Sequence, residues 1–185
     1  MPRGRLRTLC VFCGSAVGTR PSYREAAEHL AAELAARRME LVYGGGNVGL
    51  MGVVADAALA HGVRVTGVIP DGLAERELAH HGVSDLRVVR SMHERKALLT
   101  KLSDAFVMLP GGLGTLEEFF EIWVGRSLGF HNKPVIILDP HDFYKPLKIF
   151  IEYLAEQKFL KPHQIEHIIW TTTIEEALDA CISDS

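Results

Sequence analysis

Ala105-Phe106-Val107-Met108-Leu109-Pro110-Gly111-Gly112-Leu113-Gly114-Thr115-Leu116-Glu117-Glu118 decides the reading of this chain. A short apolar run closed by Pro and Gly reads as a buried strand ending in a tight turn. An apolar period of 3.6 resumes from Leu116 to Leu128, which predicts a helix. The unit is therefore strand, glycine turn, helix. The same order repeats outward in both directions. Strands are expected over 6–12, 41–43, 64–69, 86–89, 105–109, 135–138 and 168–170. Helices are expected over 23–37, 48–61, 92–102, 116–128, 143–157 and 174–181. In the first of these, Ala26, Ala27, Leu30, Ala31 and Leu34 share one face. Strand-helix alternation implies right-handed crossovers and an α/β, doubly wound, mostly parallel sheet with helices on both faces. Val135-Ile136-Ile137-Leu138 is apolar without interruption, as a strand covered on both sides should be. In such a sheet ligands bind beyond the carboxyl ends of the strands, so the loops that follow strands are the place to look.

Composition narrows the function classes. The 185 residues fit one domain, residues 1–185. With 48% apolar and 23% charged residues, the chain is neither disordered nor fibrous. The net charge of −3 argues against nucleic-acid binding, since the only local basic excess is Arg3, Arg5 and Arg7. No apolar run reaches the roughly 18 residues that a membrane span needs. No leader-like segment follows Met1, so the cytoplasm is the expected compartment. Cys10, Cys13 and Cys181 are too few, and odd in number, for a disulfide framework. Cys10 and Cys13 lie on a strand and point to opposite faces, so they read as buried small residues rather than zinc ligands. The one unusual count is glycine, 17 residues or about 9% against roughly 7% on average.

Those glycines cluster. Gly44-Gly45-Gly46-Asn47-Val48-Gly49-Leu50-Met51-Gly52 follows a strand and opens a helix. Gly44, Gly46 and Gly49 match G-x-G-x-x-G, which lets backbone approach an anion at a helix N-terminus. A tight strand-to-helix turn would want the same glycines. No Lys-Ser or Lys-Thr follows, so this is not a Walker loop. The dinucleotide fingerprint normally follows the first strand and this one follows the second, although Asp71 lies about 20 residues on, as that fingerprint requires. The second cluster, Pro110 to Glu118, offers another helix start, now with the Thr115 hydroxyl and two carboxylates. Glu117 and Glu118 are about 100° apart on the helix, so they cannot both face one site, while Glu121 neighbours both. Two glycine turns on one sheet edge together suggest a phosphate-bearing ligand.

Ser91-Met92-His93-Glu94 matches the capping box S-x-x-E, a sufficient structural role for Glu94. Arg95 and Lys96 follow in the first turn, where cations oppose the helix dipole. Either both are solvated or an anion waits beside them. The nine histidines show no metal-ligand spacing, so no metal and no cofactor are expected.

These three motifs resemble the LONELY GUY family of cytokinin-activating nucleotide hydrolases. Pro110-Gly111-Gly112-Leu113-Gly114-Thr115-Leu116-Glu117-Glu118 is similar to that family's P-G-G-x-G-T-x-x-E, and Met92-His93-Glu94-Arg95-Lys96 and residues 44–52 also match. The likeness runs from Val11-Phe12-Cys13-Gly14-Ser15 to the last helix. It implies a Rossmann-like fold, homodimers or larger assemblies, and hydrolysis of the N-glycosidic bond of an N6-substituted adenosine 5′-monophosphate. Carried over by position, Arg95 and Glu118 match catalytic residues. Glu77, Lys96, Gly111, Gly112, Leu113, Gly114, Thr115, Leu116 and Glu117 match substrate-binding positions. Ser15, Gly44, Gly45, Gly46, Asn47 and Gly49 form the expected phosphate or nucleotide loop. One departure stands out: relatives commonly read Trp-Thr-Trp-x-Gln-Leu-Gly where this chain has Trp123-Val124-Gly125-Arg126-Ser127-Leu128-Gly129. The expected partner is a nucleoside 5′-monophosphate, with no nucleic acid and no membrane.

Breaking a ribosyl C–N bond builds positive charge on the sugar, so a carboxylate should stabilise it or activate water. Glu118 is expected in that role, assisted by Glu117 or Glu121. Arg95 is expected to bind ribose or phosphate and to hold Glu118 ionised. The 5′-phosphate is expected on the helix start at residues 111–115. A non-catalytic nucleotide or cofactor carrier on the same fold is the alternative, and it needs none of Arg95, Glu117 and Glu118. A third reading, an NAD-dependent dehydrogenase, finds no obvious hydride-transfer site in this sequence.

Overall fold

Alternation along three neighbouring strands sets the layers. In β1 (Thr8–Phe12), Leu9 and Val11 enter one core while Cys10 and Phe12 enter the other. In β5 (Ala105–Met108), Ala105 and Val107 divide from Phe106 and Met108 in the same way. In β6 (Val135–Leu138), Ile136 and Leu138 divide from Val135 and Ile137. A strand apolar on both sides must be covered on both, which forces helices above and below the sheet.

The structure, a computed structural model, describes residues 8–74 and 78–183. The remaining elements are α1 (Pro21–Ala36), β2 (Glu40–Tyr43), α2 (Gly49–Ala60), β3 (Val65–Pro70), α3 (Asp71–Leu73), β4 (Asp85–Val89), α4 (Met92–Leu102), α5 (Leu113–Ser127), α6 (Lys145–Glu156), α7 (Pro162–Glu166), β7 (Ile168–Thr171) and α8 (Ile174–Ser183). The seven strands lie in the order β4-β3-β2-β1-β5-β6-β7, and every neighbouring pair is parallel. Helices α1, α2 and α8 cover one face, while α4, α5 and α6 cover the other. The expected α/β, Rossmann-like, doubly wound sheet is the observed fold, and all its strands are parallel. No helix among the described residues is long and apolar enough to cross a membrane.

Three helix starts differ from the sequence reading by two residues or more. Helix α1 begins at Pro21 rather than Tyr23, because proline's fixed φ and missing N–H suit the first turn. Helix α5 begins at Leu113 rather than Leu116, with Gly112 as its N-cap. First-turn N–H groups have no intrahelical partner, so Leu113-Gly114-Thr115, with one exposed leucine and a glycine, can be helical without an apolar period to reveal it. Helix α6 begins later, at Lys145, because Asp139 accepts the N–H groups of Phe143 and Tyr144 at 2.8 Å and holds the preceding turn. All three cysteines are buried, and burial pushes the Cys10 and Cys13 thiols well above their usual range.

The chain winds outward from β1 to β4, then returns to place β5 on the other side of β1. That reversal opens a crevice at the carboxyl ends of β1 and β5. There the two loops touch backbone to backbone: the Gly14 N–H donates to Pro110 O at 3.0 Å. A third loop closes over them. Gly49 has φ +61°, and a Cβ there would stand 2.2 Å from the Ser15 carbonyl carbon. The close approach and the left-handed backbone both require glycine. Gly49→Ala should therefore lower unfolding free energy by about 2 kcal/mol or more, read by urea denaturation. Wild-type stability in that variant would mean the loop can shift without cost.

Candidate active site

Helix α4 starts where its sequence says. Ser91 Oγ accepts the Glu94 N–H at 3.1 Å, and a Glu94 carboxylate oxygen accepts the Arg90 N–H at 2.9 Å. This cap fixes the rotation of the helix, which turns Arg95 inward, 8% exposed. Its Nε donates to Val68 O at 3.0 Å and its Nη2 to Gly44 O at 3.3 Å. Nη1 lies 3.0 Å from Glu118 Oε1 and 3.9 Å from Met92 Sδ. Gly44 leaves the space the guanidinium fills, since a Cβ there would lie 2.1 Å from Nη2.

Helix α5 presents the complementary charges. Glu118 points inward and is 8% exposed, whereas Glu117 and Glu121 lie on the outer side. Lys96 Nζ pairs with Glu117 Oε1 at 2.5 Å and with Glu121 Oε2. The anions beside the cations of α4 are thus carboxylates of α5. Arg95 takes the inner one and Lys96 the outer two. The geometry of the inner pair is unusual. Arg95 Nη1 is within ion-pair distance of Glu118 Oε1. That oxygen is buried with no hydrogen-bond partner among the described residues.

Burial pushes the Glu118 carboxyl above the usual carboxylate range. Arg95 opposes that rise and Glu117 adds to it, while Lys96 opposes and Glu121 adds. Arg95 does favour the ionised form, as expected, but desolvation outweighs it. Lys96 is pushed up by its hydrogen bonds to Glu117 and Glu121 and stays charged.

The start of α5 is open. Leu116 is the first N–H to reach back along the helix, to Gly112 O at 3.0 Å. The N–H groups of Leu113, Gly114 and Thr115 precede it, at the positive end of the dipole. Gly14, Ser15, Leu50, Pro110, Gly111 and Gly112 line a cavity of about 180 Å³ beside them. Thr115 is buried against Gly111, whose missing Cβ would meet Thr115 Oγ1 at 2.1 Å.

At the start of α2, expected as a second anion-ready helix end, two first-turn N–H groups meet backbone carbonyls. The Leu50 N–H donates to Ala16 O and the Met51 N–H to Gly14 O, both at 3.3 Å. Gly44 seats Arg95 and Gly49 packs under Ser15, while the Asn47 N–H donates to Leu78 O at 2.8 Å. Gly45 O accepts from His80, and Gly46 bridges to Ala79. Among the residues expected to form the nucleotide loop, Ser15 lines the cavity and the residues at 44–49 support it. Asp71 is exposed and its carboxylate accepts the next residue's N–H at 2.7 Å. Glu77 lies outside the described residues. Sequence reasoning missed the Val68 and Gly44 carbonyls, since backbone acceptors leave no residue signature.

The departure after Trp123 has a local cause. A Cβ at Gly125 would come 3.3 Å from His131 Nε2. That ring nitrogen lies 3.0 Å from Ile122 O, and Nδ1 accepts the Lys133 N–H at 3.2 Å. His131 occupies room a side chain at 125 would need. The outer side of the carboxylates continues into a groove of about 760 Å³ between α4 and α5, walled by Phe120, Val124, Gly125 and Phe130. The described residues also bring ligand atoms of His29, Glu33 and Glu175 within 4.8 Å of one another on α1 and α8, but His29 and Glu175 are exposed.

Residues 51–181 match the family described as "Possible lysine decarboxylase". A cytokinin riboside 5′-monophosphate phosphoribohydrolase from Rhodococcoides fascians is 45% identical over 175 residues, 94% of this chain and 88% of that protein. An Arabidopsis thaliana protein of the same name is 45% identical over 176 residues, 95% and 82% of the two chains. Among solved structures, a molybdenum cofactor binding protein from Rippkaea orientalis superposes with a TM-score of 0.74 at 20% identity, covering 97% of this chain and 98% of that one. That likeness concerns the fold. With near-half identity along almost its whole length, and with the Arg95–Glu118 pair set beside an open glycine-capped helix start, the chain belongs to the LONELY GUY family of cytokinin riboside 5′-monophosphate phosphoribohydrolases.

Proposed function

We propose that this protein hydrolyses the N-glycosidic bond of adenosine 5′-monophosphates, including N6-substituted ones, to free base and ribose 5-phosphate. One observation carries the reading: a buried carboxylate, Glu118, paired with buried Arg95, stands on the same helix whose glycine-capped start borders a cavity. The 5′-phosphate sits on the N–H groups of residues 113–115, beside Ser15 and Gly111. Binding energy gained there, remote from the bond that breaks, orients the ribose over Glu118. As the C1′–N bond opens, positive charge grows on the sugar. Ionised Glu118 stabilises it and takes a proton from the attacking water, whose oxygen bonds to C1′. The departing base takes its proton from solvent. Arg95, with two of its nitrogens spent on backbone carbonyls, holds Glu118 in place and offsets part of its burial cost. Lys96 neutralises Glu117 and Glu121, which otherwise push Glu118 towards its protonated form. A passive carrier has no use for a desolvated charge pair of this kind, which costs stability unless it does other work.

Glu118→Gln should lower kcat for release of adenine from AMP by about 10²–10⁴-fold while the cooperative thermal transition remains. Retained turnover sinks the assignment. In the same assay adenosine should react far more slowly than AMP, and equal kcat/KM values would remove the phosphate from the argument.

The pH dependence has a definite sign. Activity needs ionised Glu118, so kcat/KM rises with pH through its ionisation, and the acid limb lies above the usual carboxylate range. Lys96→Met removes a charge that lowers the Glu118 pKa and unmasks two that raise it. The limb should move to higher pH, and a limb that stays or moves down contradicts this electrostatic role.

We further propose that the working unit is a homodimer with a second copy seated in the α4–α5 groove. The apolar wall there includes Val124 and Phe130, the latter 80% exposed, and Glu117 and Glu121 border it. Sedimentation should give a dimer for the wild type and a monomer for the double substitution Val124→Glu, Phe130→Glu. A monomeric wild type rules this interface out.

A further inference from the structure

Arg95 is positioned by a loop that cannot position itself. Gly44-Gly45-Gly46 has no side chains to pack, and glycine gives up the most conformational freedom on folding. Yet Gly44 O holds Nη2 of the buried guanidinium. A carbonyl lent by three consecutive glycines fixes a side chain only if neighbours clamp the loop. Strand β3 is one jaw: a Cβ on Gly67 would lie 2.8 Å from the Gly45 Cα. Tyr43 adds its hydroxyl, which donates to Gly46 O at 2.9 Å. The other jaw is a short backbone zipper. The Asn47 N–H donates to Leu78 O at 2.8 Å, Gly46 bridges Ala79, and the His80 N–H donates to Gly45 O at 2.9 Å.

The His80 side chain anchors that zipper. The ring is buried, and both its nitrogens are used. Nδ1 accepts the Gly82 N–H at 3.1 Å, which places the ring proton on Nε2. Nε2 then donates to Asp56 Oδ1 at 2.8 Å. Asp56 stands on α2 with a side chain 69% exposed, so its contribution to the core is small and its hydrogen bond to His80 is its distinctive contact.

We propose that Asp56 and His80 form a latch that positions Arg95. The latch fixes residues 78–80 to α2, those residues fix the glycine loop, and the loop fixes the guanidinium against Glu118. Both are positioning residues, since neither touches the reacting atoms. The role rests on the hydrolase reading given above.

Asp56 is the residue to change, because its exposure spares the fold. Misplacing Arg95 through the loop should cost chemistry more than substrate binding. Asp56→Ala should lower kcat for AMP about tenfold with KM within about twofold, since a small misplacement of a catalytic group is felt mainly in the chemical step. Amide hydrogen exchange at Asn47 and His80 should quicken in the same variant, with little change in Tm. Asp56→Asn keeps an acceptor for His80 Nε2 and should recover both kcat and exchange protection. The latch is overturned if Asp56→Ala turns over like the wild type, if Asn and Ala behave alike, or if kcat simply tracks Tm. A wild-type chain inactive on every nucleoside monophosphate sinks the hydrolase reading and this role together. An active wild type with an indifferent Asp56→Ala sinks the latch alone.

Discussion

The charge pair between Arg95 and Glu118 constrains everything near it. Two ions out of water cost several kcal/mol each unless the surroundings supply polar partners. Arg95 obtains them from Val68 O and Gly44 O, which requires β3 and the loop after β2 to end where they do. It also requires Gly44 to lack a side chain, because a Cβ would overlap the guanidinium. Glu118 receives the charge of Arg95 but no hydrogen bond to Oε1. The pair is therefore provided with hydrogen-bond partners chiefly on its cationic side.

The carboxylates of α5 divide by helical geometry. Adjacent Glu117 and Glu118 face different ways, one outward to Lys96 and one inward to Arg95. Adding Glu121 to the outer row makes Lys96 a bridge between two anions. One consequence is electrostatic: the outer row acts on the protonation of the inner carboxylate without touching it. Another is spatial, since the outer row borders the α4–α5 groove and so links the candidate active site to the proposed subunit contact.

Much of this was legible in the sequence. Apolar runs at Val135-Ile136-Ile137-Leu138 and Ala105–Met108 have one reading, strands covered on both faces, and the sheet agrees. Capping chemistry at Ser91 and Glu94 marked the start of α4, while the two cations after it left open whether solvent or an anion faced them until α5 supplied its carboxylates. The glycine clusters were harder to read, because glycine at a strand-to-helix turn serves equally for ligand approach and for close packing. Gly112 borders an open helix end and Gly111 both borders it and makes room for Thr115, while Gly44, Gly45, Gly46 and Gly49 make room for other protein atoms. The start of α5 was misplaced by three residues because a first turn made of Leu113-Gly114-Thr115 carries no apolar period.

By itself the sequence determined the layer order of the chain, the positions of its strand-end loops and the residue types from which a site could be built. Those follow from local periodicity, turn chemistry and caps, which act over a few residues. Tertiary structure decided which glycine loop stays open, which carboxylate goes inward and what holds Arg95. Those depend on contacts between residues far apart in the chain, from Gly44 and Val68 to Arg95 and on to Glu118. Backbone carbonyls and the burial that raises the pKa of a carboxyl are written in no single residue; they exist only once the sheet brings those segments together.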